Sequence, residues 1–200
     1  MDIDDPAIPS NKSIPDIALI IDSSGSMESD IIRGDEGPYD LLLRAQYSLF
    51  NWLEKTGKGY QMNFAIVNFS GDTFFSGWKP YEEFDEVKKE LFKFQNGGTV
   101  LDPEKVKKLY TERKDNFLAI LTTDGGLANP EEAAEELERL VQYGNDLAVI
   151  YIKHFAFNYD EDKKFMDRMS KCAQVHTITD PRDLIEIEID YAKKYWGKIE

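Results

Sequence analysis

The segment Ile17-Ala18-Leu19-Ile20-Ile21-Asp22-Ser23-Ser24-Gly25-Ser26 places five apolar residues directly before a short polar loop. An unbroken run of aliphatic residues is typical of a strand that is buried on both faces, as in a parallel sheet. Helices cover both faces of such a sheet, and ligands bind beyond the carboxyl ends of its strands. The segment therefore predicts an α/β fold with a polar site at the end of its first strand.

Further apolar runs along the chain extend this prediction to a whole sheet. The five candidate strands cover residues 16–21, 62–69, 117–123, 147–152 and 174–178. Helical patterns lie between them, over 39–55, from Phe84 to Phe94, over 160–170 and over 181–196. Three pairs, in which a capping residue precedes a proline, predict helix starts: Asp102-Pro103, Asn129-Pro130 and Asp180-Pro181.

The segment Thr73 to Ser76 departs from this alternation. It follows the strand over 62–69 through Ser70-Gly71-Asp72, which predicts a hairpin and a short antiparallel strand at the edge of the sheet. Taken together, the patterns predict a doubly wound, Rossmann-like α/β fold. Its sheet is mostly parallel, with one short antiparallel edge strand and with helices on both faces.

The composition indicates one acidic domain and argues against polyanionic partners. The 200 residues contain 24 Lys and Arg against 38 Asp and Glu, a net charge of −14. Because nucleic acids and anionic membranes repel such a protein, neither is expected as a partner. Residues 1–13 are rich in Asp, Pro and Ser and lack an apolar period, so we expect an N-terminal extension or linker there and a domain over 14–200.

The sequence also predicts a cytoplasmic location. Its longest apolar runs are shorter than the roughly 20 residues that a membrane helix needs, and the chain opens with no charged and then apolar leader. Cys172 is the single cysteine, which excludes an internal disulfide and fits a reducing compartment.

Three polar clusters lie on loops that this fold brings to one edge of the sheet. They are Asp22 to Ser26, Asn96 to Thr99, and Asp124-Gly125-Gly126. Their oxygen-bearing side chains comprise two carboxylates and three hydroxyls: Asp22, Asp124, Ser24, Ser26 and Thr99. Hard oxygen ligands of this kind suit Mg²⁺, Mn²⁺ or Ca²⁺. With two negative charges around it, the ion would accept one more anionic oxygen from outside.

The segments Asp22-Ser23-Ser24-Gly25-Ser26, Gly98-Thr99 and Thr123-Asp124-Gly125 resemble the metal-ion-dependent adhesion site of von Willebrand factor A domains, written D-x-S-x-S, T and D. The resemblance covers nearly all of residues 14–196 and implies the A-domain fold. It implies that Asp22, Ser24, Ser26, Thr99 and Asp124 hold the ion directly or through water. It further implies that a protein partner supplies an Asp or Glu to the ion, and it suggests a MoxR-type AAA+ ATPase as a partner.

Each cluster taken alone has a simpler interpretation. Asp22 to Ser26 could form a strand-to-helix turn whose serines bond to backbone, Asp124 could be a turn residue, and Thr99 a loop hydroxyl. Asp102 is expected to be a helix cap. The acidic residues after the first motif are expected to be a solvated charge run, with a rim of the site as the alternative; they are Asp30, Asp35, Glu36 and Asp40.

Three functions fit the motif. The favoured one is a non-enzymatic module that binds a partner carboxylate through the ion. A second is a Mg²⁺- or Mn²⁺-dependent phosphoester hydrolase, which would need a Lys or Arg beside the ion, with Arg33 and Lys79 as the candidates. The third is a structural domain whose ion only fastens loops together. The sequence has no G-x-S-x-G turn for a nucleophilic serine and no Walker-type phosphate loop.

Overall fold

The computed structural model of the protein describes residues 15–28, 37–83, 86, 88–89, 93–153, 159–180 and 182–197. The strands are β1 (Asp16–Asp22), β2 (Asn63–Phe69), β3 (Thr73–Phe75), β4 (Lys79–Pro80), β5 (Phe117–Thr123), β6 (Asp146–Ile152) and β7 (Gln174–Ile178). The helices are α1 (Pro38–Lys55), α2 (Pro103–Thr111), α3 (Pro130–Gln142), α4 (Tyr159–Met169) and α5 (Asp183–Trp196). All five predicted strands are confirmed, and their ends differ by one residue at most.

The strands form one sheet in the order β3-β2-β1-β5-β6-β7, and β4 pairs with β2 beside β3. β1 runs parallel to both of its neighbours, with Ile20 opposite Val67 of β2 and Leu121 of β5. The chain passes from β1 to β2 on one side and later returns to β5 on the other, so the strand order reverses between β1 and β5. This reversal is the place where α/β sheets bind ligands.

The predicted hairpin is confirmed, and a second short strand accompanies it. Thr73–Phe75 pairs antiparallel with Val67 to Phe69. Lys79 and Pro80 pair with Phe64 and Asn63. β4 thus lies at the amino end of β2, whereas β3 lies at its carboxyl end. The predicted fold class is confirmed: a mostly parallel sheet with an antiparallel edge and helices around it.

Two apolar cores lie on the two faces of the sheet, and β1 contributes to both. Ile17, Leu19 and Ile21 pack with α1 and α5 on one face. Ala18 and Ile20 pack with α2, α3 and α4 on the other. Because successive side chains of a strand point to opposite faces, a strand between two cores must be apolar at every position. This explains the unbroken run that opens the domain.

The three predicted helix caps have different outcomes. The Asp102 carboxylate accepts a hydrogen bond from the Glu104 amide at 2.9 Å and caps α2 as predicted. The prediction for Asn129 is wrong in its detail, because its side chain does not cap α3 but pairs with the backbone of Leu101 at 3.2 and 2.9 Å. Asp180 accepts a hydrogen bond from the Arg182 amide at 3.0 Å, but α5 begins at Asp183, two residues later than predicted.

Several sequence predictions lie outside the described residues. These are the extension over 1–13, the acidic residues Asp30, Asp35 and Glu36, and most of the helical pattern from Phe84 to Phe94. Within the described ranges, no helix is long and apolar enough to cross a membrane.

A buried polar pair joins α1 to α5. Glu188 is 0 % exposed and Gln46 is 1 % exposed, and Gln46 Nε2 donates to Glu188 Oε1. Glu188 Oε2 and Gln46 Oε1 have no hydrogen-bond partner. Burial raises the pKa of Glu188 well above its ordinary value. A protonated Glu188 would supply the donor that Gln46 Oε1 lacks, so the neutral acid suits this interface better than the anion.

We predict that Glu188→Gln stabilises the protein at pH 8 and changes little near pH 4. Because the folded-state pKa of Glu188 is raised, the wild type has its full stability below the unfolded pKa and loses stability as the pH rises. The uncharged variant escapes this loss, a gain of about 1–3 kcal/mol in the free energy of unfolding at pH 8. Urea denaturation at both pH values measures it. Glu186→Gln, on the exposed side of the same helix, is the control, and an equal gain at both pH values would contradict the prediction.

Candidate metal centre

Four of the five predicted site residues are joined by hydrogen bonds. The amide of Ser24 donates to Asp22 Oδ1 at 2.9 Å. The hydroxyls of Ser24 and Ser26 lie 3.0 Å apart, and Ser26 Oγ donates to Asp124 Oδ1 at 2.9 Å. The structure therefore brings the D-x-S-x-S loop and the second aspartate together at the point where the strand order reverses.

Two local features of the chain bring these side chains together. β1 and β5 are neighbours, so Asp22 and Asp124 stand at adjacent strand ends. After Ser24 the chain makes a single 3₁₀ turn over Gly25–Met27, which is anchored by the fully buried Met27. A Cβ at Gly25 would lie 2.9 Å from the Asn96 side-chain oxygen, so a larger residue there would have to displace that side chain.

The fifth residue, Thr99, lies on a loop that backbone hydrogen bonds fix between the other two. The Gly25 amide donates to the Gly97 carbonyl at 3.0 Å, and the Asn96 amide donates to the Ser23 carbonyl at 3.1 Å. On the other side, the Ala128 amide donates to the Thr99 carbonyl at 2.8 Å. These bonds place the Thr99 backbone between the loops that follow β1 and β5. Coordination by its hydroxyl stays a prediction.

Asn68, which the sequence analysis missed, fastens two of these loops to the end of β2. Its Oδ1 accepts hydrogen bonds from Ser23 Oγ at 2.6 Å and from Gln95 Nε2 at 2.8 Å. Its Nδ2 donates to the Lys93 carbonyl at 2.9 Å. One signal was available, because Asn68 is an amide near the end of the apolar run over 62–69. A buried amide in a strand has to find polar partners.

Both aspartates are buried, and burial disfavours their ionised forms. Asp22 is 0 % exposed and Asp124 1 % exposed. Burial raises the pKa of Asp22 to about 6, although hydrogen bonds from Ser24 and from Thr123 Oγ1, the latter at 2.6 Å, partly offset it. Burial, followed by the charge of Asp22, raises the pKa of Asp124 to about 7. Asp124 Oδ2 has no hydrogen-bond partner.

This arrangement fits a divalent cation. Two buried carboxylates repel one another, and the unpartnered oxygen of Asp124 has lost its hydration without a replacement. A cation between the loops would remove both costs. Across the described part of the chain, no three His, Cys, Asp or Glu side chains converge on one point. The donor set is therefore two carboxylates with hydroxyls, which suits a hard ion that retains a vacant or water-filled position.

A third acidic residue that the sequence analysis missed, Asp162 of α4, lies against the turn after Asp124. Its Oδ1 accepts a hydrogen bond from the Gly126 amide at 2.8 Å, and its Oδ2 one from the Tyr151 hydroxyl at 2.9 Å. No sequence signal singles it out, because it lies in an acidic stretch, Asp160-Glu161-Asp162. Asp40, the one described member of the acidic run expected to be solvated, accepts a hydrogen bond from the Gly37 amide at the start of α1.

Comparison with solved structures identifies the fold. No protein-family model and no curated protein matches the sequence. The VWA domain of SpRpn10 superposes with a TM-score of 0.64 at 10 % identity, over 94 % of this chain and 100 % of that one. This chain has the von Willebrand factor A fold.

Two further structures share this A-domain fold at low identity. The pilus adhesin SpaC from Lactobacillus rhamnosus GG matches with a TM-score of 0.73 and 13 % identity, over 93 % of this chain and 31 % of that one. Proximal thread matrix protein 1 from the mussel byssus, solved with a zinc-occupied MIDAS motif, matches with a TM-score of 0.62 and 20 % identity. The match covers 89 % of this chain and 48 % of that protein, so this chain spans less than half of either relative.

We predict that Asp124→Asn stabilises the metal-free protein and abolishes stabilisation by Mg²⁺. Because the folded-state pKa of Asp124 is raised to about 7, the metal-free wild type loses stability as the pH rises from about 4 to about 7. In EDTA at pH 8 the variant should gain about 1–3 kcal/mol in the free energy of unfolding, and this gain should shrink toward pH 4.

Thermal unfolding in EDTA and in Mg²⁺ measures both effects. The control is Asp72→Asn, an exposed position in the β2–β3 hairpin. A variant that Mg²⁺ stabilises as much as the wild type would show that Asp124 does not hold the ion.

Proposed function

We propose that the protein is a binding module in which a divalent cation, held by Asp22, Ser24, Ser26, Thr99 and Asp124, binds a carboxylate of a protein partner. One observation carries the proposal. Two buried carboxylates are linked at the strand-order reversal through the Ser24 amide and the hydroxyls of Ser24 and Ser26, and one oxygen of Asp124 is left without a partner. A dication there is neutralised by two charges and can accept a further anionic oxygen.

Mg²⁺ is the proposed ion, with Mn²⁺ and Ca²⁺ as alternatives. Carboxylate and hydroxyl oxygens are the ligands that these ions prefer. Asp22 and Asp124 supply the charge, and the hydroxyls supply neutral oxygens. Zinc belongs in the same metal panel, because the mussel byssus protein was solved with zinc in its site.

The surface around the site permits a partner to approach closely. Gly71, Gly97, Gly98 and Gly126 are all exposed on the loops beside the two aspartates. These glycines present no side chains, so a partner's backbone could come near the ion. The similarity to a pilus adhesin supports a protein as the partner. A MoxR-type AAA+ ATPase and a cytoplasmic location remain part of this proposal, to be tested by co-purification and fractionation.

The net charge of −14 makes such recognition short-ranged. At physiological salt, charges beyond about 8 Å are largely screened, so the acidic surface repels an acidic partner only at shorter distances. Carboxylate binding must therefore gain its free energy at the ion itself. Added salt should weaken this surface repulsion more than the contact at the ion.

A hydrolase is disfavoured by the position of Lys79, which the sequence offered as a candidate cation. Lys79 pairs with Glu83 at 2.9 Å and with Glu86 at 3.2 Å. It also belongs to β4, at the amino end of β2, and the candidate metal centre lies at the carboxyl ends of the strands. Arg33 lies outside the described residues. We therefore propose a non-enzymatic function.

We predict that partner capture requires the ion. Proteins retained by the immobilised full chain in Mg²⁺ should elute with EDTA and should not be retained by Asp22→Ala or Asp124→Ala. Asp72→Ala, at an exposed position of the neighbouring hairpin, should retain them. A set of retained proteins that EDTA and both substitutions leave unchanged would overturn the proposal. If Mg²⁺ only raised the melting temperature, the ion would be structural.

A further inference from the structure

Asp162 places a third buried carboxylate next to the candidate metal centre. It is 7 % exposed, and both of its oxygens accept hydrogen bonds, from the Gly126 amide and the Tyr151 hydroxyl. Gly125 has φ of 96°, and a Cβ there would lie 2.5 Å from Asp162 Oδ2. Asp162 thus fills the space directly beside the turn that follows Asp124.

Asp162 does not share an ion with the two site aspartates. Over the described ranges no three acidic, His or Cys side chains come close enough to hold one metal. The charge of Asp162 nevertheless lies next to the site, because its carboxylate contacts Gly125 and Gly126, the two residues that follow Asp124. Charges act over longer distances in a buried environment than in water.

We propose that Asp162 is a positioning residue that sets how strongly the ion binds a partner's carboxylate. This inference rests on the proposed function. Asp22 and Asp124 already balance the two charges of a divalent ion. A third negative charge nearby holds the ion more tightly and repels an incoming carboxylate. Asp162 therefore raises the affinity for the ion and lowers the affinity for the partner's carboxylate. The ion then stays bound while partners bind and dissociate.

The test compares the full chain with Asp162→Asn, which keeps the side-chain size and an oxygen for the Gly126 amide. Mn²⁺ binding to the metal-free protein is measured by the electron paramagnetic resonance signal of free Mn²⁺. Acetate binding to the Mn²⁺-saturated protein is measured by paramagnetic relaxation of the acetate protons. We expect the variant to bind Mn²⁺ about tenfold more weakly and acetate about tenfold more tightly.

Asp167→Asn is the matched control. It removes one negative charge from the same helix at an exposed position, where solvent screens it, so neither affinity should change by more than about twofold. Asp162→Ser, also uncharged and smaller, is expected to repeat the opposite changes and serves as the test if the Asn variant does not fold.

The direction of the two changes separates charge from packing. Weaker binding of both Mn²⁺ and acetate, or no change in either, would assign Asp162 a purely structural role and overturn the inference. If the wild type binds Mn²⁺ and the variant has the same affinities for Mn²⁺ and acetate, only the role of Asp162 is overturned. Wild-type protein that binds no Mn²⁺ would overturn the proposed metal centre and this inference with it.

Discussion

The close approach of two buried carboxylates, Asp22 and Asp124, is the constraint on which the site depends. The sheet order forces it, because β1 and β5 are parallel neighbours, β1 ends at Asp22 and Asp124 directly follows β5. Burial penalises both anions. The loops around them give hydrogen bonds to three of the four carboxylate oxygens and leave Asp124 Oδ2 without one. The fold thus buries two carboxylates close together, and a cation between them would neutralise their charge.

The loops around this pair are held by neutral polar contacts. Asn68 joins the end of β2 to Ser23 and Gln95, and Asn129 joins the start of α3 to Leu101. Both amides lie outside the motif in the sequence. A site whose ligands come from separate loops needs such contacts, because each loop alone is free to move. Asp162 adds a charged contact to the same set, through Gly126 and Tyr151.

Elsewhere in the domain, buried polar groups are used differently. Glu188 and Gln46 face one another between α1 and α5 in an apolar core, where a neutral acid is the favoured form. At the amino end of the sheet, Asp16 accepts from the Asn63 amide at 2.7 Å and pairs with Arg113. There the carboxylate has a cationic partner of its own. The metal centre differs from both, because no protein cation pairs with its two aspartates in the described structure.

The sequence by itself determined the motif, the edge hairpin and every strand except β4, because each is encoded locally. Continuous apolar runs specify strands that are buried on both faces. Asp22, Ser24, Ser26 and Asp124 could be predicted because they lie at the ends of two such strands or just after them. Asn68, Asn129 and Asp162 were decided only by tertiary structure. The sequence predicted that Asn129 caps a helix, but its side chain bonds to the backbone of Leu101. Asp162 accepts a hydrogen bond from Gly126, which lies 36 residues away in the sequence. Local spacing records which side chains follow a strand, whereas the partner of a buried polar group depends on which segments packing brings beside it.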